Sequence, residues 1–130
     1  MVEGAAPRFD DLIARRAARE PLAYITGVKE FWSLDFAVGP GCLIPRPDTE
    51  TLIEALTRQI PDCSRPLRIL DLGTGSGCLL AAALTEYPGA TGTGIERSSA
   101  ALAWARVNIA AHRLESRATF IESDWPDEGT

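Results

Sequence analysis

The sequence predicts an α/β protein: the first three parallel strands of a doubly wound sheet, preceded by a helix and a β-hairpin. Three observations lead there. Residues 67–122 alternate short apolar runs with helical stretches in the order β-α-β-α-β. The stretch "DLGTGSG" at 71–77 places a glycine-rich turn between the first of these strands and its helix. Ahead of them, aromatic and β-branched residues are punctuated by Gly27, Gly39, Pro40 and Gly41, the pattern of a hairpin.

Each element has its own signal. From Arg8 to Arg19, Phe9, Leu12, Ile13 and Ala17 recur at helical spacing, and Pro21 ends the helix. Two short strands are expected at Val28–Trp32 and Leu34–Val38. A helix follows Pro47, with Asp48 as its N-cap and Leu52, Ile53, Leu56 and Ile60 as its apolar stripe. "PDCSRP" at 61–66 is a loop. "LRILDLG" is a continuous apolar strand, of the kind buried on both faces of a parallel sheet. "GSGCLLAAALTEYPG" is a small-residue-rich helix stopped by Pro88 and Gly89. "ATGTGIE" is the second parallel strand. "SSAALAWARVNIAAHRL" is a helix capped by Ser98 or Ser99, and His112 falls near its end. "RATFIESDW" is the third strand, ending near Glu122. The first strand would lie at the switch point of such a sheet, with its outer edge open. The 130 residues are therefore expected to be a fragment, or to rely on a partner that covers that edge.

Bulk composition narrows the function. The length suits one domain, and the hydrophobic share of 45% and charged share of 24% suit a soluble globular protein. A net charge of -5 argues against a general nucleic-acid binder. The arginine cluster in "IARRAARE" reads as a solvated helix face. Cys42, Cys63 and Cys78 lack CxxC spacing and accompany a single histidine, which disfavours zinc and fits reduced thiols. With no long apolar run and no apolar signal-peptide core, a cytoplasmic location is expected.

The glycine turn carries the chemistry. Asp71 closes the first parallel strand, and Gly73, Thr74, Gly75, Ser76 and Gly77 turn into the helix, whose N-terminus offers free N–H groups. A dinucleotide site uses GxGxxG; here the glycines fall as GxGxG, with Cys78 where the last glycine would be. Asp71 would repel a pyrophosphate but suits a cationic ligand such as an amino group. Glu96 closes the second strand, where an acid accepts hydrogen bonds from ribose hydroxyls. S-adenosylmethionine combines a ribose with an amino-acid tail and no phosphate. Asp124 and Trp125 follow the third strand at the ligand end of the sheet. There they are candidates to border and stack on adenine, against the plainer reading of a surface turn.

The blocks "REPLAYITGVKEFWSLDFAVGPGCLIPRPDTETLIE", "ILDLGTGSGCLLAAAL", "GIERSSAALAWARVN" and "FIESDW" together resemble the N5-glutamine methyltransferases of peptide chain release factors, the PrmC/HemK family. The resemblance runs from about Arg19 to Trp125. It implies S-adenosylmethionine-dependent methylation of the glutamine side-chain amide in a Gly-Gly-Gln motif, with release factors as partners and neither membrane nor direct nucleic-acid binding. It implies a Rossmann-like methyltransferase fold, present in part, after a helical domain and a hairpin linker. The divisions expected are a remnant of the helical domain at 1–22, the linker at 23–47 and the N-terminal half of the methyltransferase domain at 48–130. It also implies that Gly73 to Gly77 hold the methionine part, that Glu96 takes the ribose where the family usually has Asp, and that Asp124 and Trp125 border the adenine.

One family feature is not in these residues. The Asn-Pro-Pro-Tyr motif that receives the glutamine amide does not occur, so no catalytic residue is assigned in this chain and transfer by it alone is expected to be severely impaired. An amide nitrogen is a poor nucleophile, and carbonyl acceptors on its N–H groups are what orient it and support developing positive charge. Two other readings stay open: an amino methyltransferase acting on nucleic acid, and a cofactor-binding or interaction module without catalysis. "LIPRPDTETL" is locally an extended segment leading into a helix. In the resembling family it lies against the cofactor face, so Pro45, Arg46, Pro47, Thr49 and Glu50 are expected on the substrate side. Arg46 and Glu50 would organise the entrance, with Pro45 and Pro47 fixing them there.

Overall fold

In a computed structural model, the structure describes residues 26–42 and 44–123. The expected helix at Arg8–Arg19, Leu43, and Asp124 and Trp125 lie outside them. Strands β1 (Val28–Phe31) and β2 (Leu34–Ala37) form an antiparallel hairpin pairing Val28 with Ala37 and Phe31 with Leu34. A two-residue turn of type I′ calls for positive φ at both positions. Trp32 and Ser33 supply it at 55° and 62° without glycine. Two carboxylates hold the turn: Glu50 accepts the Trp32 backbone N–H at 2.6 Å, and Glu86 accepts its indole Nε1–H at 2.6 Å.

After the hairpin, a 3₁₀ turn at Pro47–Thr49 leads into α1 (Glu50–Gln59). Asp48 therefore lies inside the preceding turn and is not the N-cap expected. Its side chain accepts from Arg46 Nε at 3.4 Å, and no side chain caps α1. The rigid φ of Pro47 starts the turn one step early and moves the helix start past Asp48.

The rest is β3 (Arg68–Leu72), α2 (Cys78–Glu86), β4 (Thr91–Glu96), α3 (Ser99–Ala111) and β5 (Ala118–Glu122), paired in parallel in the order β3-β4-β5. Ser98 caps α3, its hydroxyl accepting from Ala101 N–H at 3.1 Å. Crossovers that step the same way across a parallel sheet place their helices on one face. Ile69 and Phe120 pack towards the helices. Leu70, Leu72 and Ile121, one residue along, remain 61%, 51% and 46% exposed. The expectation that β3 is buried on both faces is thus not met: among the described residues only one face of the sheet is covered.

The core joins the hairpin to the helical face. Phe31 and Phe36 meet edge to face at 6.5 Å and share a cluster with Ile53, Leu80, Leu84 and Tyr87. The Tyr87 hydroxyl donates to the carbonyls of Leu56 and Ile60, so a buried phenol is satisfied while tying α2 to α1. No helix among the described residues is long and apolar enough to cross a membrane.

Candidate functional site

A cleft of about 630 Å³ opens at the C-terminal end of the parallel strands, where open α/β sheets bind ligands. Its floor is the glycine loop, with Gly73, Thr74, Gly75 and Ser76 on its lining. Glu96, at the end of β4, and Ser98 form one wall. Ile44, Pro45, Arg46 and Thr49, from the segment after the hairpin, form the other. Residues from three separate stretches of sequence therefore face one cavity.

The loop is folded on itself. Gly73 and Thr74 N–H both donate to Ile95 O, at 2.7 and 3.1 Å, and Gly77 N–H donates to Thr74 O at 2.7 Å. Gly75 N–H donates to Glu96 Oε1 at 3.0 Å, and Ser98 N–H to Oε2 at 3.1 Å. Glu96 so staples the loop to the start of α3, while each carboxylate oxygen keeps further acceptor capacity toward the cleft. Four amides that could have cradled an anion are spent on the protein's own acceptors. These amides belong to the turn ahead of α2, engaged because the loop turns back over the end of β4; the free N–H groups expected are those of the helix start itself. Position 77 favours glycine because its φ is 82°, a conformation that strains any side chain.

The remaining expected site residues are placed as follows. Asp71 lies under the loop and lines a groove beside α1 rather than the cleft. Its Oδ2 accepts the Thr74 hydroxyl at 2.8 Å. Burial raises its carboxyl above the ordinary value of 3.8, and Glu96 adds to the rise, while the Thr74 hydroxyl works the other way. Gly77 and Pro47 flank the cleft without lining it. Glu50 points to the hairpin turn and borders a separate recess with Trp32 and Glu86. Arg46 lines the cleft and pairs with Asp48 at 3.4 Å, both side chains being largely exposed.

Several contributors were not singled out as site residues from sequence, Ile44 and Ala101 on the walls among them. Cys78 and Leu79 line the floor, and Asn108 lies behind it. The Cys78 thiol is pushed up to about 11, first by burial, so at neutral pH it is a neutral wall and not a nucleophile. Cys42, on the approach to the cleft, is likewise pushed up to about 11 by burial, with Cys78 and Glu96 adding to the rise. Asn108 carried a readable signal: it is a polar residue at helical spacing with the buried Ala101 and Ala105.

The family model of the methyltransferase small domain matches residues 47–130, and that of the PrmC N-terminal domain matches residues 1–27. A release factor glutamine methyltransferase of Rhodospirillum rubrum is 48% identical over 120 residues, which are 92% of this chain and 36% of that protein. Its Escherichia coli counterpart is 42% identical over 118 residues, 91% of this chain and 42% of that one. This chain thus spans well under half the length of these relatives. Among solved structures, an Agrobacterium tumefaciens SAM-dependent methyltransferase superposes with a TM-score of 0.60, covering 75% of this chain and 32% of that one. At 23% identity that likeness speaks for the fold alone.

Proposed function

Because this chain belongs to the methyltransferase small domain family, we propose that its cleft holds S-adenosylmethionine and serves methyl transfer to a release factor. We take the acceptor to be the side-chain amide N5 of the glutamine in a Gly-Gly-Gln motif; the relatives at 48% and 42% identity, named release factor glutamine methyltransferases, support a release-factor glutamine. One observation carries the choice of ligand. Four glycine-loop amides are turned onto Ile95, Glu96 and Thr74, and a carboxylate stands in the cleft. Such a floor disfavours a pyrophosphate and suits a ligand with hydroxyls and no phosphate.

When bound, S-adenosylmethionine supplies an electrophilic methyl group. The chain's own residues bind and orient. Glu96 has acceptor capacity for ribose hydroxyls beyond its two backbone bonds. Ile44, Leu79 and Ala101 give the cleft apolar wall area for a flat ring. Asp71 restrains the loop through Thr74 and places a carboxylate next to it. Pro45 and the turn that Pro47 begins fix Arg46 and Thr49 on the opposite wall, the side from which the acceptor would approach. Asn-Pro-Pro-Tyr is not among the 130 residues, so the amide-holding step is not assigned to this chain. The net charge of -5 and the "LIPRPDTE" block weigh against a nucleic-acid acceptor.

Calorimetry with S-adenosylmethionine tests the cofactor half of the proposal. One-to-one binding is expected, weakened about tenfold or more in Glu96→Gln. Absence of heat at millimolar ligand would overturn it. Labelled methyl transfer from the cofactor tests the substrate half, using the full-length protein with a release factor and its Gly-Gly-Gln→Gly-Gly-Ala variant. Label on both proteins, or on neither, refutes a glutamine acceptor.

A further inference from the structure

The linker between β2 and the cleft is carried by one stripe of α3. Trp104, Asn108 and His112 follow at four-residue spacing, so they share a helix face. Each bonds the backbone of the hairpin segment. Trp104 Nε1–H donates to Pro40 O at 3.2 Å. Asn108 Oδ1 accepts Ala37 N–H at 2.7 Å, and Asn108 Nδ2 donates to Ala37 O at 3.0 Å. His112 Nε2 meets Asp35 O at 2.7 Å, with its ring 5.1 Å from that of Phe36. The side chains so serve β2 as a neighbouring strand would. Gly39 lets the backbone come this close: a Cβ there would fall 2.5 Å from the Trp104 ring.

Asn108 differs from its two neighbours. Its second Nδ2 hydrogen donates to Ser76 O at 2.9 Å, inside the glycine loop. The side chain is 1% exposed, and the amide orientation is dictated, since only one satisfies both carbonyls and the Ala37 N–H. A single rigid amide thereby spans two segments that are 71 and 32 residues away in sequence.

We propose that Asn108 is a positioning residue that couples the glycine loop to the linker, so that a ligand ordering Ser76 also orders Asp35–Gly41. The cleft wall at Ile44–Thr49 follows directly from that segment, so occupation of the cofactor floor sets the position of the substrate-side wall. The coupling runs through one shared donor group and is reciprocal: a linker held on α3 also presents the loop for binding. The inference rests on the reading that the cleft takes S-adenosylmethionine, and it adds to that reading a residue that touches no cleft surface.

Hydrogen–deuterium exchange on the 130-residue chain, with and without S-adenosylhomocysteine, tests it. Without ligand, Asn108→Ala is expected to speed exchange about tenfold in both 35–41 and 73–77, while Trp104→Phe speeds only 35–41. With ligand, wild type and Trp104→Phe gain protection in both segments, and Asn108→Asp, which keeps an acceptor for Ala37 N–H but no donor for Ser76 O or Ala37 O, gains it in the loop only. Circular dichroism checks folding, and Asn108→Asp decides the matter if the alanine variant does not fold. Ligand protection of 35–41 persisting in Asn108→Asp overturns the coupling. Failure of the wild type to bind overturns the cofactor reading instead, and the ligand-free comparison still decides whether Asn108 bridges the two segments: a change confined to 35–41 says that it does not.

Discussion

Asp71 shows how a single carboxyl reports on the floor of the cleft. Its carboxyl is raised above 3.8, chiefly by burial. A carboxyl that binds its proton more tightly in the folded state favours folding below the unfolded value and loses that contribution as pH rises through the folded one. Asp71→Asn keeps an oxygen for the Thr74 hydroxyl and removes the titration. The stability of Asp71→Asn relative to wild type is therefore expected to grow from pH 4 to pH 7, as measured by urea unfolding at both values. Groups not coupled to Asp71 titrate alike in both proteins and cancel, so a constant difference would refute the account. That the glycine turn and Glu96 meet at one cleft was readable from spacing, because both belong to one βαβ unit. The role of Glu50 was not. Its partner is a backbone N–H 18 residues earlier, and nothing in a helix-start acid announces a distant hairpin turn.

Among the elements, α2 ends in a way its own sequence does not provide. Its last turn carries no basic residue, although helix C-termini favour one. Arg117, at the end of the 3₁₀ turn before β5, fills the place. Its Nη2 donates to Leu84 O at 2.9 Å, and its Nη1 to Tyr87 O at 3.2 Å and Ala90 O at 2.8 Å. One guanidinium so closes α2 and pins the entry to β4. Arg117→Met, which keeps the apolar stem, is expected to cost about 2 kcal/mol, the scale of hydrogen bonds to a charged group. A lower urea midpoint with an unchanged m-value would bear this out; a loss below about 0.5 kcal/mol would show these carbonyls to be equally well served by water. The order and type of the elements from the hairpin to β5 were legible, because period, caps and breakers act within a few residues. The exact start of α1 and the one-sided burial of β3 were not. The first turns on how Pro47 seeds a 3₁₀ turn, and the second on which face the two helices share.

At the scale of the whole molecule, that one-sided burial makes a physical demand. Parallel sheets normally carry cover on both faces, yet Leu70 and Leu72 are 61% and 51% exposed on β3, with Ile121 at 46% on β5. Between α1 and β3 runs a groove of about 170 Å³ lined by Leu52, Leu56, Ile69 and Leu70. Because β3 has a neighbour on one side only among the described residues, its backbone edge adds a template for strand pairing. An apolar face beside an open edge drives association of the 130-residue chain with itself when nothing else covers them. Sedimentation velocity at about 100 µM is expected to show dimers or larger species, and the double variant Leu70→Lys, Leu72→Lys to restore the monomer. Both side chains are half or more in water already, so unfolding stability should move by no more than about 0.5 kcal/mol. The two lysines also bring the net charge of -5 closer to zero, which by itself would weaken mutual repulsion. A monomeric variant therefore isolates the lost apolar contact as the cause, whereas a wild type that stays monomeric, or a variant that still associates, would mean that this face does not drive assembly.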